Sequence, residues 1–258
     1  MSKFSRRAAD AILVFAFALG YLSPAQAAGS AQKDPSDKAD FLFGVPKASF
    51  AARGGWSVAG ANSEIFEFVQ DQLTVEKSDF NAPILIMDFT YKIKPRIDAM
   101  FRFGYSRASV DSESRDYVDQ DDDPILQATE LKKIPLTGNV KFYPMSRGRE
   151  ISRFAYVPRS FAPYVGGGGG LLWYRFRQVG DFVDFDDLSI FSDAFTSDGW
   201  TPTLNVFGGI DIKLTPRLFL AVEASYNWAK SDMGADFVDF DPIDLAGFAM
   251  TVGLQIVF

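Results

Sequence analysis

The segment DFVDFD occurs twice, at 181–186 and again at 236–241. The first copy carries Asp181, Asp184 and Asp186, and the second carries Asp236, Asp239 and Asp241, each set around two phenylalanines. Carboxylates in groups are the ligands that hard divalent cations prefer, so these six are candidates for a cation-binding rim. A solvated acidic surface is the plainer reading of the same residues. The run DQDDDP, 119–124, lacks the glycine and distal glutamate of a calcium loop. With no third copy, DFVDFD does not mark a repeat architecture.

A second constellation lies at alternating positions within apolar stretches: Asp88, Asp98, Arg102, Lys141, Asp211, Lys213 and Glu223. Arg102 follows Pro95 by seven residues, Glu223 follows Pro216 by seven, and Asp88 precedes Pro95 by seven. If the prolines mark turns, these three share one depth. Charges of both signs inside a narrow barrel must pair, because either sign left alone there is costly. The expectation is an ion-pair network of Asp88, Arg102, Glu223, Lys141, Asp211 and Lys213 that plugs the interior. A gate that opens by exchanging partners is the alternative.

The chain has no histidine and no cysteine. Imidazole bases, thiolate chemistry, disulfides and most zinc sites are therefore excluded. The five glycines at 166–170 are followed by LLWYRF rather than Lys-Ser/Thr and a helix, so they are not a phosphate loop. Glycines there leave room for bulky neighbours and permit bending. No catalytic residues, cofactor or nucleic-acid partner is expected.

Strands must position these residues. In 217–229, Leu218, Leu220, Val222, Ala224, Tyr226 and Trp228 fall on one face, and Phe219, Ala221, Glu223, Ser225 and Asn227 on the other. The stretch 246–258 alternates likewise, and so does 96–107. Eight strands are expected, near 41–53, 84–92, 96–107, 130–143, 162–177, 201–214, 217–229 and 246–258. Pro46 blurs the register of the first. Residues 62–73 space Ile65, Phe66, Val69 and Leu73 as an amphipathic helix would, able to pack over a barrel mouth.

Residues 1–27 read as a secretion signal, with Lys3, Arg6 and Arg7 before a short apolar core and a small-residue cleavage site, AQA. Residues 28–40 would be a short periplasmic segment and 41–258 the barrel. The polar strand face carries the charges, while the other is aliphatic in mid-strand and aromatic near its ends. That is the arrangement of a membrane barrel, the reverse of a soluble one. Tight turns, KIKPR and LTPR, alternate with long connections at 54–82, 108–128, 178–199 and 230–244, whose formal charges are −4, −6, −6 and −4. The 145–161 connection is long and basic, with Arg147, Arg149, Arg153 and Arg159. An acidic external crown above a basic inner end follows.

The closing strand TVGLQIVF, together with APYVGGGGGLLWY and the proline-marked turns, resembles the OmpA/OmpX-like eight-stranded outer-membrane β-barrel superfamily over 41–258. The resemblance implies an all-β, antiparallel up-and-down transmembrane barrel in the bacterial outer membrane. It also implies a C-terminal assembly signal, Leu254, Ile256 and Phe258, read by the barrel-assembly machinery. Partners would be outer-membrane lipid and lipopolysaccharide, with divalent cations as candidate bridges. No peptidoglycan-binding domain is expected after the last strand. A structural or surface-interaction role fits that resemblance. The alternatives are a passive path for small hydrophobic or cationic solutes, or adhesion through the loops.

Overall fold

The computed structural model describes residues 41–119, 122–152, 154–184, 187 and 189–258. Residues 1–40, with the expected secretion signal, lie outside them, as do Arg153 and Asp186.

Eight antiparallel strands form a closed barrel. They are β1 (Ala48–Ala59), β2 (Ala82–Lys94), β3 (Ile97–Val118), β4 (Pro124–Phe142), β5 (Phe161–Val183), β6 (Ile190–Lys213), β7 (Leu218–Trp228) and β8 (Gly247–Val257). Each pairs with its neighbours in sequence, and β1 pairs with β8 from Ser49↔Val257 to Ala59↔Gly247 to close the ring. Around the ring, closure gives each strand a partner on both sides.

The period-2 pattern sorts the two faces. In β7, Phe219, Ala221, Glu223 and Ser225 point inward and are buried. Leu204, Val165, Phe101, Met250 and Ile256 point outward and stay at least half exposed. The outside of the barrel is thus an apolar belt, and the inside is polar at mid-height. Outward aromatics rim the belt: Trp56, Trp200, Tyr226 and Trp228 toward the long connections, Tyr91, Phe142 and Phe161 toward the tight turns. No helix among the described residues is long and apolar enough to cross a membrane.

Three sequence expectations need correction. The first strand runs over Ala48–Ala59 rather than 41–53. Pro46 has no N–H for the ladder, whereas Gly54 and Gly55 fit within it against β2 and β8. Residues ahead of β1 instead reach the turn end, where Leu42 bridges to Tyr156. The connections expected at 108–128 and 178–199 are largely strand: β3–β4 and β5–β6 continue as paired ribbons. Beyond the apolar belt the outward face of those ribbons is largely polar, and the inward face mixes polar Ser112 and Gln178 with apolar Leu131 and Phe176, so alternation fades although pairing persists. The 145–161 connection is a small hairpin, Gly148–Ser152 against Ala155–Pro158.

The helix lies at Glu64–Gln72 and is labelled α1. Ile65, Phe66 and Val69 are completely buried, and they pack with Phe80, Leu172, Phe176, Phe237, Ile243 and Leu245. This apolar cluster caps the barrel at its long-connection end.

Candidate functional site

The most concentrated chemistry lies inside the barrel. β1 supplies Arg53, β2 Asp88, β3 Arg102, β5 Tyr164 and β7 Glu223. Asp88 and Arg102 are direct cross-strand partners. Arg102 Nε donates to Asp88 Oδ1 at 2.8 Å, and its Nη2 lies 2.7 Å from Glu223 Oε1. Arg53 completes the set: Nη2 to Asp88 Oδ2 at 2.5 Å and Nη1 to Glu223 Oε2 at 2.8 Å. Two guanidiniums and two carboxylates thereby close a neutral ring in which each cation touches both anions. All four side chains are almost wholly buried.

Rings pack around this centre. Tyr164 Oη donates to Glu223 Oε2 at 3.0 Å and accepts from Arg53 Nη1 at 3.2 Å. The Arg102 guanidinium lies 4.7 Å from the Phe207 ring centroid. The glycines make the space. A Cβ on Gly209 would lie 2.6 Å from Tyr164 Oη, and one on Gly166 would lie 2.3 Å from Phe207 Cζ. Gly166 and Gly209 thus sit where the Phe207 and Tyr164 rings need room.

Lys141 and Asp211 form a separate pair, 3.2 Å apart, nearer the tight turns. Tyr143 Oη donates to the same Asp211 carboxylate at 2.9 Å. Lys141 also lies 3.5 Å from the Tyr164 ring centroid, which links this pair to the central ring. Lys213 is half-buried at the end of β6, where its backbone N–H donates to Ser160 O. At the mouth, Arg147 clamps Asp98 with two hydrogen bonds of 2.7 and 2.9 Å and lies 4.5 Å from the Tyr143 ring centroid. Burial works against the Arg147 charge, but Tyr143 and Asp98 outweigh it and raise the guanidinium above its usual value. A vestibule of about 370 Å³ opens there, walled in part by Arg147, Tyr156 and Asp211.

Sequence spacing placed Asp88, Arg102 and Glu223 at one depth, but it did not include Arg53. The signal was available: Arg53 sits at an alternating position between Ala51 and Gly55, on a strand assigned seven residues too early.

The described DFVDFD carboxylates take separate partners. Asp181 accepts from the Ser192 hydroxyl, Asp236 from the Thr196 N–H at 2.9 Å, and Asp241 from the Glu64 N–H at 3.0 Å. The last contact satisfies a free N–H at the start of α1. Asp184 donates its backbone N–H to Ser189 O, and Asp239 is exposed. Among the described residues no three carboxylates gather as a metal site. The phenylalanines do converge. Phe182 meets Phe195 at 4.7 Å, Phe195 meets Phe237 at 6.3 Å, and Phe237 meets Phe176 at 5.6 Å.

No protein-family model and no curated protein sequence matches this chain. Solved structures with a similar fold do. The Neisserial surface protein A structure is 11% identical, with 85% of this chain and 98% of that chain covered at a TM-score of 0.44. Ail, the attachment invasion locus protein of Yersinia pestis, is 12% identical over 82% of this chain and all of its own, at 0.43. OprG of Pseudomonas aeruginosa is 15% identical over 83% and 98%, also at 0.43.

Proposed function

We propose that this chain is a bacterial outer-membrane barrel with a structural or surface-interaction role and an interior sealed by its own side chains. The carrying observation is the inversion of faces: an outward apolar belt edged by aromatics around a polar, charge-neutral centre. Such a belt is stable only in hydrocarbon. The long, acidic connections then face the exterior and the tight turns the periplasm.

Leu254, Ile256 and Phe258 lie on the outward face at 49, 51 and 63% exposure, open to the assembly machinery before lipid covers them. The absence of histidine and cysteine supports a non-enzymatic role.

Two measurements test this reading. The purified chain in detergent should migrate faster unheated than boiled, as a compact barrel does, and recovery from a detergent-free soluble fraction would overturn the membrane assignment. In planar bilayers the wild type should pass no steady current, whereas a reproducible open state would overturn the sealed interior.

A further inference from the structure

One row of the outer surface breaks the pattern of the rest. Arg107, Lys132, Arg175 and Asp198 are successive cross-strand partners on β3, β4, β5 and β6. All four point outward, so three cations stand side by side on strands about 4.8 Å apart. Like charges directly opposite one another destabilise a sheet. Arg177 and Glu130, partners two residues further along β5 and β4, share the outward face.

Local compensation is partial. Glu130 pairs with Arg107 at 2.5 Å, and Asp198 lies 3.8 Å from Arg175. Lys132, in the middle, has no carboxylate partner among the described residues. Its ammonium sits 5.5 Å from the Tyr105 centroid and 5.4 Å from the Trp173 centroid, and Arg175 lies 5.2 Å from the same Trp173 ring. Four cations against two carboxylates leave this patch positive, below a crown of opposite sign. The tyrosine and tryptophan rings place it at the upper edge of the apolar belt, where headgroups begin. A surface groove of about 340 Å³ runs beside it, lined by Pro83, Leu85, Tyr105 and Arg107.

We propose that this row is a binding site for a phosphorylated, acylated lipid of the external leaflet. The phosphate lies over Lys132 and Arg175, and an acyl chain fills the groove below Arg107. The inference rests on the membrane assignment above and adds a specific partner to it. Arginine and lysine suit a phosphate in complementary ways, one as a planar fork and the other as a point charge.

The test uses the full chain in neutral detergent and native mass spectrometry. The probes are bisphosphorylated lipid A, the same lipid stripped of both phosphates, and inorganic phosphate. Wild type should retain the bisphosphorylated lipid at least tenfold better than the stripped one, and added salt should shrink that preference. Lys132→Gln/Arg175→Gln should abolish it while keeping the heat-modifiable band, and Lys132→Arg should keep it. Equal retention of both lipids, or a double variant that still prefers the phosphorylated form, would overturn the site. Inorganic phosphate binding as tightly as the lipid would overturn the lipid as occupant. Failure of the membrane assignment would show separately, as loss of the heat-modifiable band in wild type.

Discussion

Arg53 Nη1 lies 2.8 Å from Glu223 Oε2, although 170 residues separate them in the chain. The contact spans β1 and β7 and completes a ring in which neither Asp88 nor Glu223 depends on a single cation. Removing one member therefore leaves a surplus charge in a place water does not reach.

Arg53→Met is expected to destabilise the barrel by about 3–5 kcal/mol, the usual cost of stranding a buried ion. Arg53→Met/Asp88→Leu leaves Arg102 facing Glu223 alone and should recover most of that loss. Urea unfolding in lipid vesicles, followed by tryptophan emission, measures both. A double variant no better than the single would show that the ring does not act as a charge-balanced unit.

The apolar cap should fail independently of the barrel. Phe66 is fully buried, 4.8 Å from the Phe80 centroid and 5.9 Å from that of Phe176. Phe66→Ala should cost the cap about 3–5 kcal/mol. Limited proteolysis should then cut within 60–81 much faster, with the compact gel band unchanged.

Glycine substitutions separate the inner face from the outer. A Cβ on Gly168 would lie 2.1 Å from the Gly138 carbonyl oxygen, while one on Gly138 meets nothing within 4 Å. Gly168→Ala should sharply lower the folded fraction on refolding into detergent, and Gly138→Ala should leave it unchanged. The unheated-to-heated band ratio reads both directly.

At the tight-turn mouth, Arg147→Ala takes both clamping hydrogen bonds from Asp98, which is 1% exposed. The expected loss is about 3–5 kcal/mol. Arg147→Lys should rescue only part of it, because a lysine cannot reproduce the two-pronged clamp. Chemical denaturation of the three proteins side by side gives the ranking.

Burial pushes the Tyr156 phenol above its ordinary value, against an opposing pull from Arg147. A raised folded value means the protonated phenol stabilises the hairpin fully below about pH 10, where free tyrosine ionises. That contribution disappears as pH rises through the folded value. Proteolysis of 147–159 should accelerate above about pH 10 in wild type. Tyr156→Phe should flatten the rise.

Much of this architecture could be read in advance. Strict alternation in 217–229 and 246–258 and the proline-marked turns carried β7, β8 and the shared depth of Asp88, Arg102 and Glu223. Arg53 was hidden because Gly54 and Gly55 look like a loop in a sequence, whereas a closed barrel uses them inside a strand. The long ribbons were hidden for a different reason. Outside the apolar belt the outward face is wet and the inward face buries polar residues too, so Asp111, Ser112 and Glu113 show no apolar alternation although all three are paired to β4 and Ser112 is buried. The aromatic cluster at the long-connection end needed three dimensions, because Phe182, Phe195 and Phe237 come from separate segments and meet only when the ribbons stand up.

The β5–β6 ribbon stays in register from Trp173↔Trp200 to Val183↔Ile190. At the rise of a strand this is roughly 30 Å of paired backbone beyond the belt's upper aromatics. An antibody raised against the folded protein would meet two strands at once, with alternate side chains of each displayed together. Its epitope would be conformational, and a peptide copied from either strand alone would not compete for it.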